Sequence, residues 1–162
     1  MGVDAAGFGM FIQWLYNGEI DISATWIRDY YHLVNAWLLG EKFQCPAVQD
    51  HAMVQLIKSH RQYGIAPAML EGIYTGLDAG SKLRQWAVDQ LTYELRHGTR
   101  CKMTGIEDFD DEIWVSYARD IKDFGQDFVR VFLHAGAGLE GANNPYENRQ
   151  RYMKVLTHEK DA

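Results

Sequence analysis

Apolar residues recur at three- and four-residue spacing along most of this chain. The clearest stripes are Trp26/Ile27, Tyr30, Leu33/Val34 and Trp37/Leu38, followed by Val48, Ala52/Met53 and Leu56/Ile57. This spacing places apolar side chains on one side of an α-helix, whereas a half-buried strand would need strict alternation. The sequence therefore predicts an all-α protein of about six helices, with at most one short strand just after Asn17-Gly18.

Proline, serine and glycine indicate where these helices begin and end. Pro46 and Pro67 suit a first helical turn, because the N–H that proline lacks has no helical partner there. Ser81 is a predicted N-cap, since its hydroxyl can accept from a backbone N–H of the first turn. Asn17-Gly18 should end the first helix, because glycine adopts the left-handed conformation at little cost.

Three further expectations concern the helices and the tail. The stripe over residues 114–132 predicts one helix of about six turns, bent at Gly125. In the helix that Pro46 opens, Gln49 and Asp50 should point to solvent. Residues 136–148 should be loop, and the last residues should fray or form a weak terminal helix.

Composition excludes several classes of protein. A chain of 162 residues is the size of one domain, and its net charge of −6 disfavours a nucleic-acid surface. Cys45 and Cys101 suggest no disulfide framework, and no secretory leader precedes Phe8. No apolar run approaches the ~20 residues of a membrane-spanning helix. We therefore expect a cytoplasmic or nuclear protein with no nucleic-acid or membrane partner.

One glycine motif invites a catalytic interpretation that its context does not support. Residues 136–141 spell G-x-G-x-x-G behind FVRVFL. A dinucleotide site needs a helix after the glycines inside a complete βαβ unit, and too few residues remain to build one. We therefore interpret these glycines as a loop that ends a helix.

No other residues form a convincing catalytic, cofactor or metal site. The histidines have no partner at ligand spacing, and His51 and His60 are expected at the surface or in a loop. The serines include no G-x-S-x-G elbow, and Cys45 is expected to be an ordinary thiol at a helix start. The carboxylates of residues 107–112 lack the pattern of an EF-hand and should cap a helix. The sequence thus predicts no catalytic residue, no cofactor and no metal ion.

Several segments, taken in order, resemble one known family. Phe8, Phe11 and the run WLYNGEI from Trp14 are followed by Leu33-Val34, then LLGEKF over residues 38–43, then CPAVQDHAM over residues 45–53. Together they resemble the middle and the helical hairpin of a BTB/POZ domain. Gly40 and Glu41 depart from the family, which more commonly has alanine and aspartate there. Ile73-Tyr74 and GSKLR over residues 80–84 resemble a segment that follows this hairpin in a large fungal group.

The resemblance covers residues 8–97, so we expect a partial BTB/POZ-like region at 1–97 and a helical extension at 98–162. It implies that the first half of the domain, which supplies most of the sheet and the dimerisation helix, does not precede these residues. We expect a trimmed or naturally shortened chain. Apolar surface should then be covered by residues 98–162 or by another chain, which predicts a homo-oligomer.

The family resemblance implies a non-catalytic protein-interaction module, a scaffold or an adaptor. Many members carry substrates to cullin-type ubiquitin ligases through a hydrophobic residue followed two positions later by glutamate. This chain has Val3-Asp4-Ala5 there, so a cullin is only an alternative partner. The resemblance gives Val3, Asp4 and Phe8 as predicted interaction residues, because they stand at this position and at the start of the helix that follows it. Trp14, Tyr16, Tyr30 and Tyr31 are added because Trp and Tyr are enriched at interfaces.

Two other classes of function are open at this stage. One is a helical enzyme subunit whose site is completed on assembly, with polar groups such as Asp29, Tyr31 and His32 converging in a pocket. The other is a secreted or host-directed binding protein, which the lack of a leader disfavours.

Overall fold

The computed structural model describes residues 4–22, 28–60, 64–97, 111–135 and 144–154. Within these residues the protein is all-helical and has no strand, which confirms the predicted fold class. Seven α-helices and one short 3-10 helix follow one another: α1 (Ala5–Asn17), α2 (Arg28–Lys42), α3 (Pro46–His60), α4 (Pro67–Gly76), α5 (Lys82–His97), α6 (Asp111–Asp120), α7 (Phe124–Ala135) and the 3-10 helix (Arg149–Tyr152).

The helix ends predicted from proline, glycine and serine are confirmed. Pro46 is the first residue of α3, and Pro67 is the first residue of α4. Gly18 ends α1 with a φ of 73°, in the left-handed region, and its N–H donates to the Trp14 carbonyl at 2.7 Å. Ser81 accepts from the Leu83 N–H at 3.2 Å. Local backbone chemistry therefore sets these boundaries.

The prediction of one helix over residues 114–132 is wrong. α6 ends at Asp120, and α7 begins at Phe124 after a turn. Asp123 in this turn has a φ of 66°, a left-handed conformation that a helix cannot contain and that aspartate tolerates better than most residues. The break therefore lies just before Gly125, where the sequence predicted only a bend.

The segment after Gly18 is not a strand. Residues 18–22 form a bend and an irregular stretch, and no described strand pairs with them. Ile20 is nevertheless buried, and its N–H donates to His51 Nε2 of α3 at 3.1 Å. A side chain thus satisfies the backbone group that a neighbouring strand would otherwise have paired.

The chain divides into two compact units. Unit 1 comprises residues 1–56 and 149–162, and unit 2 comprises residues 57–148. The sequence-based division at residue 97 concerned the extent of the family resemblance, and it stays a prediction.

In unit 1, α1 packs on α2, and apolar residues of α2 and α3 form most of the buried interior. Phe11, Leu39 and Val48 form one cluster, against which Trp14 and Cys45 pack from partly buried positions. Trp37, Met53 and Leu56 are completely buried. Tyr152 of the 3-10 helix is also completely buried, so unit 1 contains segments from both ends of the described chain.

Some polar residues of α3 are buried, contrary to the sequence-based expectation. Gln49 and Asp50 were predicted to face solvent, yet both are buried. Gln49 Nε2 donates to Glu41 Oε2 at 2.5 Å, and Asp50 Oδ1 accepts from the Lys154 N–H at 2.5 Å. These hydrogen bonds compensate the loss of water, which is why the two polar side chains are tolerated inside.

The two histidines of α3 also differ from the expectation of surface or loop positions. His60 is buried and makes an edge-on contact with the Trp86 ring, with 4.9 Å between ring centroids. His51 is partly buried on the helix, where it accepts from the Ile20 N–H. Both residues are structural at these positions.

In unit 2, α5 is the most buried helix. Its completely or nearly completely buried residues include Leu83, Trp86, Val88 and Leu91. α4 and α7 both contact α5, and α6 contacts α4 and α7. None of the described helices is long and apolar enough to span a membrane.

Candidate interaction surface

α1 is a helix without a single charged side chain. Its 13 residues, Ala5–Asn17, contain no Asp, Glu, Lys or Arg. Asp4 provides the N-cap, with its carboxylate accepting from the backbone N–H groups of Ala6 and Gly7 at 3.4 and 3.3 Å. Capping by a residue outside the helix leaves α1 itself entirely neutral.

One side of α1 is fixed closely against α2. Gly7 and Phe11 are buried on this side. A Cβ atom on Gly7 would collide with the Cβ of Asn35 and would lie 3.2 Å from the His32 carbonyl oxygen. Glycine therefore allows the two helices to approach more closely than any other residue would permit.

The adjoining side of α1 presents large apolar side chains to solvent. Phe8, Leu15 and Tyr16 are 44%, 52% and 84% exposed. With Ile12, which is partly buried and also packs against the core cluster of unit 1, they follow the i, i+4, i+7, i+8 spacing of one helix face. We call these four residues the α1 face.

A further exposed ring extends this apolar surface. Phe43, just after α2, is 55% exposed and stacks on Phe11 with 5.3 Å between ring centroids. Phe43 and Leu15 were not among the predicted interaction residues. The signal that could have found Leu15 is the absence of any charge from residues 5–17, since such a helix has no charged side to turn toward solvent.

Some of the predicted interaction residues are exposed to solvent, and others pack in the interior of unit 1. Phe8 and Tyr16 lie on the α1 face, and Tyr31 on α2 is 37% exposed. Trp14 is partly buried against the core cluster of unit 1. Tyr30 is buried, so its side chain belongs to the interior and is not accessible to a partner. Val3 lies outside the described residues.

Asp4 is engaged within unit 1 in addition to capping α1. Its Oδ2 atom is hydrogen-bonded to His32 Nδ1 of α2. Partial desolvation acts to raise the pKa of Asp4, but the Ala6 N–H, the His32 side chain and the Gly7 N–H together lower it. Asp4 is therefore an ionised cap that ties the start of α1 to α2.

The contacts of these residues do not support the polar pocket that the enzyme alternative predicted around Asp29, Tyr31 and His32. His32 is committed to Asp4, and the Asp29 side chain lies outside the described residues. A cleft in unit 2 has a volume of about 710 Å³ and is lined by other residues, including Tyr74, Arg84, Ser116 and Asp123.

Three polar side chains beside this cleft are linked by hydrogen bonds. The Tyr74 hydroxyl donates to Asp127 Oδ2 at 3.1 Å, and Arg84 Nη2 donates to the same oxygen at 3.0 Å. The Arg84 guanidinium also lies over the Tyr74 ring, 4.1 Å from its centroid, and donates to the Leu77 carbonyl at 3.3 Å. Burial and the neighbouring Asp127 carboxylate raise the pKa of Tyr74. This network joins α4, α5 and α7, which is a structural role.

Within the described part of the chain, no group of three or more His, Cys, Asp or Glu side chains is arranged to hold a metal ion. Cys45 is a free, partly buried thiol beside the start of α3. Cys101 and the carboxylates of residues 107–110 lie outside the described residues.

Comparisons with protein-family models, with curated proteins and with solved structures found no match to this chain. The BTB/POZ resemblance therefore depends on the sequence segments quoted above and stays a prediction. The all-helical fold and the exposed α1 face are the observations from which a function must be argued.

Proposed function

We propose that this chain is a non-catalytic protein-interaction module, a scaffold or adaptor, that binds a protein partner through the α1 face. The observation that carries this proposal is the exposure of Phe8, Leu15 and Tyr16 on a helix with no charged residue. Contiguous exposed apolar surface is uncommon on proteins that act alone and is a recurrent feature of interaction sites.

The composition of the α1 face suits an interface. Aromatic residues are enriched at interface centres, where charged residues are depleted, and Tyr is among the residues that most often dominate binding energy. The buried side of α1 is held by Gly7 against α2 and by Asp4 at the helix start. A rigidly held helix face loses little conformational entropy on binding, which favours affinity.

The sequence resemblance to BTB/POZ domains supports the same class of function, because that family works as an interaction module. The cullin alternative gains no support at the start of α1. Asp4 stands near the position of the family's glutamate, and its carboxylate is already occupied by backbone N–H groups and His32. A ligase-adaptor role is therefore the second proposal, and a helical enzyme subunit is the third.

A quantitative affinity purification from extracts of the source organism tests the proposal. The full chain serves as bait beside a Leu15→Ser/Tyr16→Ser variant, whose two positions are exposed and should not affect folding. We expect the wild-type chain to recover a stoichiometric partner and the variant to recover at least tenfold less of it. Enrichment of a cullin would instead favour the ligase-adaptor alternative.

Val115→Ser provides the matched control, because Val115 is 64% exposed on α6 and lies in unit 2. The partner should be retained by this variant. Sedimentation velocity on all three proteins shows whether the partner is a second copy of the chain. Equal recovery of every partner by the wild-type chain and the α1 variant would reject the α1 face as the binding surface.

A further inference from the structure

The residues on and beside the α1 face are arranged symmetrically about Ile12. Gly9 and Leu15 each lie three residues from Ile12, one on either side, and Phe8 and Tyr16 each lie four residues from it. At a rise of about 1.5 Å per residue, these positions are about 4.5 and about 6 Å from Ile12 along the helix axis in both directions. A two-fold axis that crosses α1 at Ile12 would therefore exchange their levels.

The two edges of this surface differ in side-chain size. Residues seven positions apart lie on nearly the same side of a helix, so Phe8 and Leu15 share one edge, and Gly9 and Tyr16 share the other. Gly9 is exposed, and a Cβ atom there would meet nothing within 4 Å. Tyr16 is 84% exposed. The second edge therefore has an open hollow on one side of Ile12 and a large projecting ring at the matching level on the other side.

α1 provides a neutral surface on a strongly acidic chain. The whole chain has a net charge of −6, so two copies repel each other wherever their charged surfaces meet. α1 has no charged side chain, and the nearest charged residues along the sequence, Asp4 and Glu19, lie beyond its two ends. Asp4 is moreover hydrogen-bonded to His32. Two copies can therefore approach through α1 with like charges meeting only at the ends of the contact.

The exposed area around α1 is sufficient for a weak dimer. Phe8, Tyr16 and the adjoining Phe43 are 44%, 84% and 55% exposed. At roughly 200 Å² for a whole aromatic side chain, these three rings expose about 350 Å² per copy. With Leu15 and the surface around Gly9, two copies should cover about 1,000 Å², which is near the lower limit for a specific interface. We therefore expect a dimer that forms at micromolar or higher concentration.

We infer that the α1 face binds the α1 face of a second copy of the chain, with the two helices antiparallel and related by a two-fold axis at Ile12. This inference rests on the proposed function, because it names the partner of the same surface. Tyr16 of each copy lies over Gly9 of the other copy. Leu15 of each copy packs against Phe8 of the other copy. Every contact occurs twice, as a closed two-fold interface requires, and each helix dipole has its positive end beside the negative end of the other.

Filling the hollow at Gly9 tests the fit of the two copies. Gly9→Gln extends into open space on its own copy but meets the Tyr16 ring of the other copy. Sedimentation equilibrium should show a dimer for the wild-type chain and a dissociation constant at least tenfold higher for this variant. Ala6→Gln is the matched control, because Ala6 is exposed on α1 about 120° around the helix from Ile12. It should dimerise like the wild-type chain, and circular dichroism establishes that both variants are folded.

Disulfide cross-linking tests the direction of the two helices. A mixture of Gly9→Cys and Tyr16→Cys chains should form a cross-linked dimer on mild oxidation, because the two positions face each other between copies. Each variant alone should stay at the background level of the wild-type chain, which contains Cys45 and Cys101. The mixed dimer keeps one contact of Tyr16 with Gly9. Cross-linking of Gly9→Cys with Phe8→Cys in place of Tyr16→Cys would indicate parallel helices and overturn the inference.

Salt distinguishes a second copy from a partner held by opposite charge. Because both copies are negative, dimerisation should strengthen as added salt screens their repulsion. A dimer that weakens with salt, or one that Gly9→Gln leaves unchanged, would overturn the inference. A chain that stays monomeric while affinity purification recovers another protein through Leu15 and Tyr16 would also overturn it, but would leave the proposed function intact.

Discussion

Glu94 on α5 is a buried carboxyl group whose protonation depends on its surroundings. It accepts from the Ile65 N–H at 3.1 Å and from Gln90 Nε2 at 2.7 Å, and the same Gln90 nitrogen donates to the Tyr146 hydroxyl oxygen at 2.8 Å. Burial raises the pKa of Glu94 to about 7, although these two hydrogen bonds to the carboxylate lower it in part. Ionisation of this group therefore opposes folding near neutral pH.

The sign of the pH dependence follows from this raised pKa. The contribution of Glu94 to stability is fully present below 4.5, the pKa of this group in the unfolded chain. It is lost as pH rises through about 7, the pKa of Glu94 in the folded protein. The wild-type protein should lose about 3 kcal/mol in its free energy of unfolding between pH 5 and pH 8, and Glu94→Gln should abolish this loss. Urea unfolding of both proteins across this pH range measures it, and parallel pH profiles would contradict the assignment.

Asp127 is the residue on which the buried polar network of unit 2 depends. It accepts from both Tyr74 and Arg84, and Arg84 has a second, longer contact with Asp123 at 3.7 Å. Asp127→Ala removes the nearer carboxylate from the buried Arg84 charge and leaves the longer contact with Asp123 and the neutral contacts with Leu77 and Tyr74. We expect a loss of about 3 kcal/mol in the free energy of unfolding.

The matched control for Asp127→Ala is Arg130→Ala. Arg130 also contacts Asp127, but its side chain is 66% exposed, and an exposed ion pair contributes at most about 1 kcal/mol. Chemical denaturation of both variants should therefore show a large loss only for Asp127→Ala. Similar stabilities would indicate that Asp123 fully replaces Asp127.

At the scale of the elements, the contact of α1 with α2 is the feature most sensitive to a single methyl group. A Cβ on Gly7 would collide with Asn35, whereas a Cβ on Gly9 would meet nothing within 4 Å. We expect Gly7→Ala to destabilise the protein by about 1–3 kcal/mol, because the helices must move apart. Gly9→Ala should stabilise α1 by up to about 1 kcal/mol through helix propensity.

Urea midpoints of the two alanine variants measure this difference. Both substitutions are chemically identical and lie two residues apart on the same helix, so only the position relative to α2 differs. Equal midpoints for the two variants would show that the helices do not approach as closely as the structure indicates.

The predictability of the elements depended on whether their determinants are local. Pro46, Pro67, Gly18 and Ser81 act through their own backbone or capping chemistry, and each boundary was predicted. The break between α6 and α7 was not predicted. Asp123 has a left-handed conformation there, which aspartate does not require, and the apolar spacing continues across the break. Propensity and apolar spacing do not reveal a left-handed conformation at a residue that does not require one.

The candidate site was predicted only in part for the same reason. Phe8 and Tyr16 are exposed as expected, but Tyr30, an equally good interface residue by type, is buried. Residue type gives the capacity to bind, whereas exposure depends on which neighbours cover the side chain. The burial of Gln49 and Asp50 likewise depends on partners, Glu41 and Lys154, that helical periodicity does not reveal.

At the scale of the whole molecule, the division into two units joins distant parts of the sequence. Unit 1 contains residues 1–56 and 149–162, although the sequence predicted only a fraying tail or weak helix at its end. The Lys154 N–H donates to Asp50, 104 positions earlier, and the Lys154 ammonium lies 5.5 Å from the centroid of the Trp37 ring. The described end of the chain is therefore part of the packed interior of unit 1.

Tyr152 is the residue through which this late segment should contribute most. Its side chain is completely buried, so Tyr152→Ala removes a large buried ring and leaves a cavity in unit 1. We expect the free energy of unfolding to fall by about 3 kcal/mol, near the lower end of the range for deletion of a buried aromatic ring. Gln150→Ala is the control, because Gln150 is exposed in the same 3-10 helix and its replacement should change stability by at most about 0.5 kcal/mol. Urea unfolding followed by tryptophan fluorescence distinguishes the two, and equal midpoints would show that unit 1 is complete without its final segment.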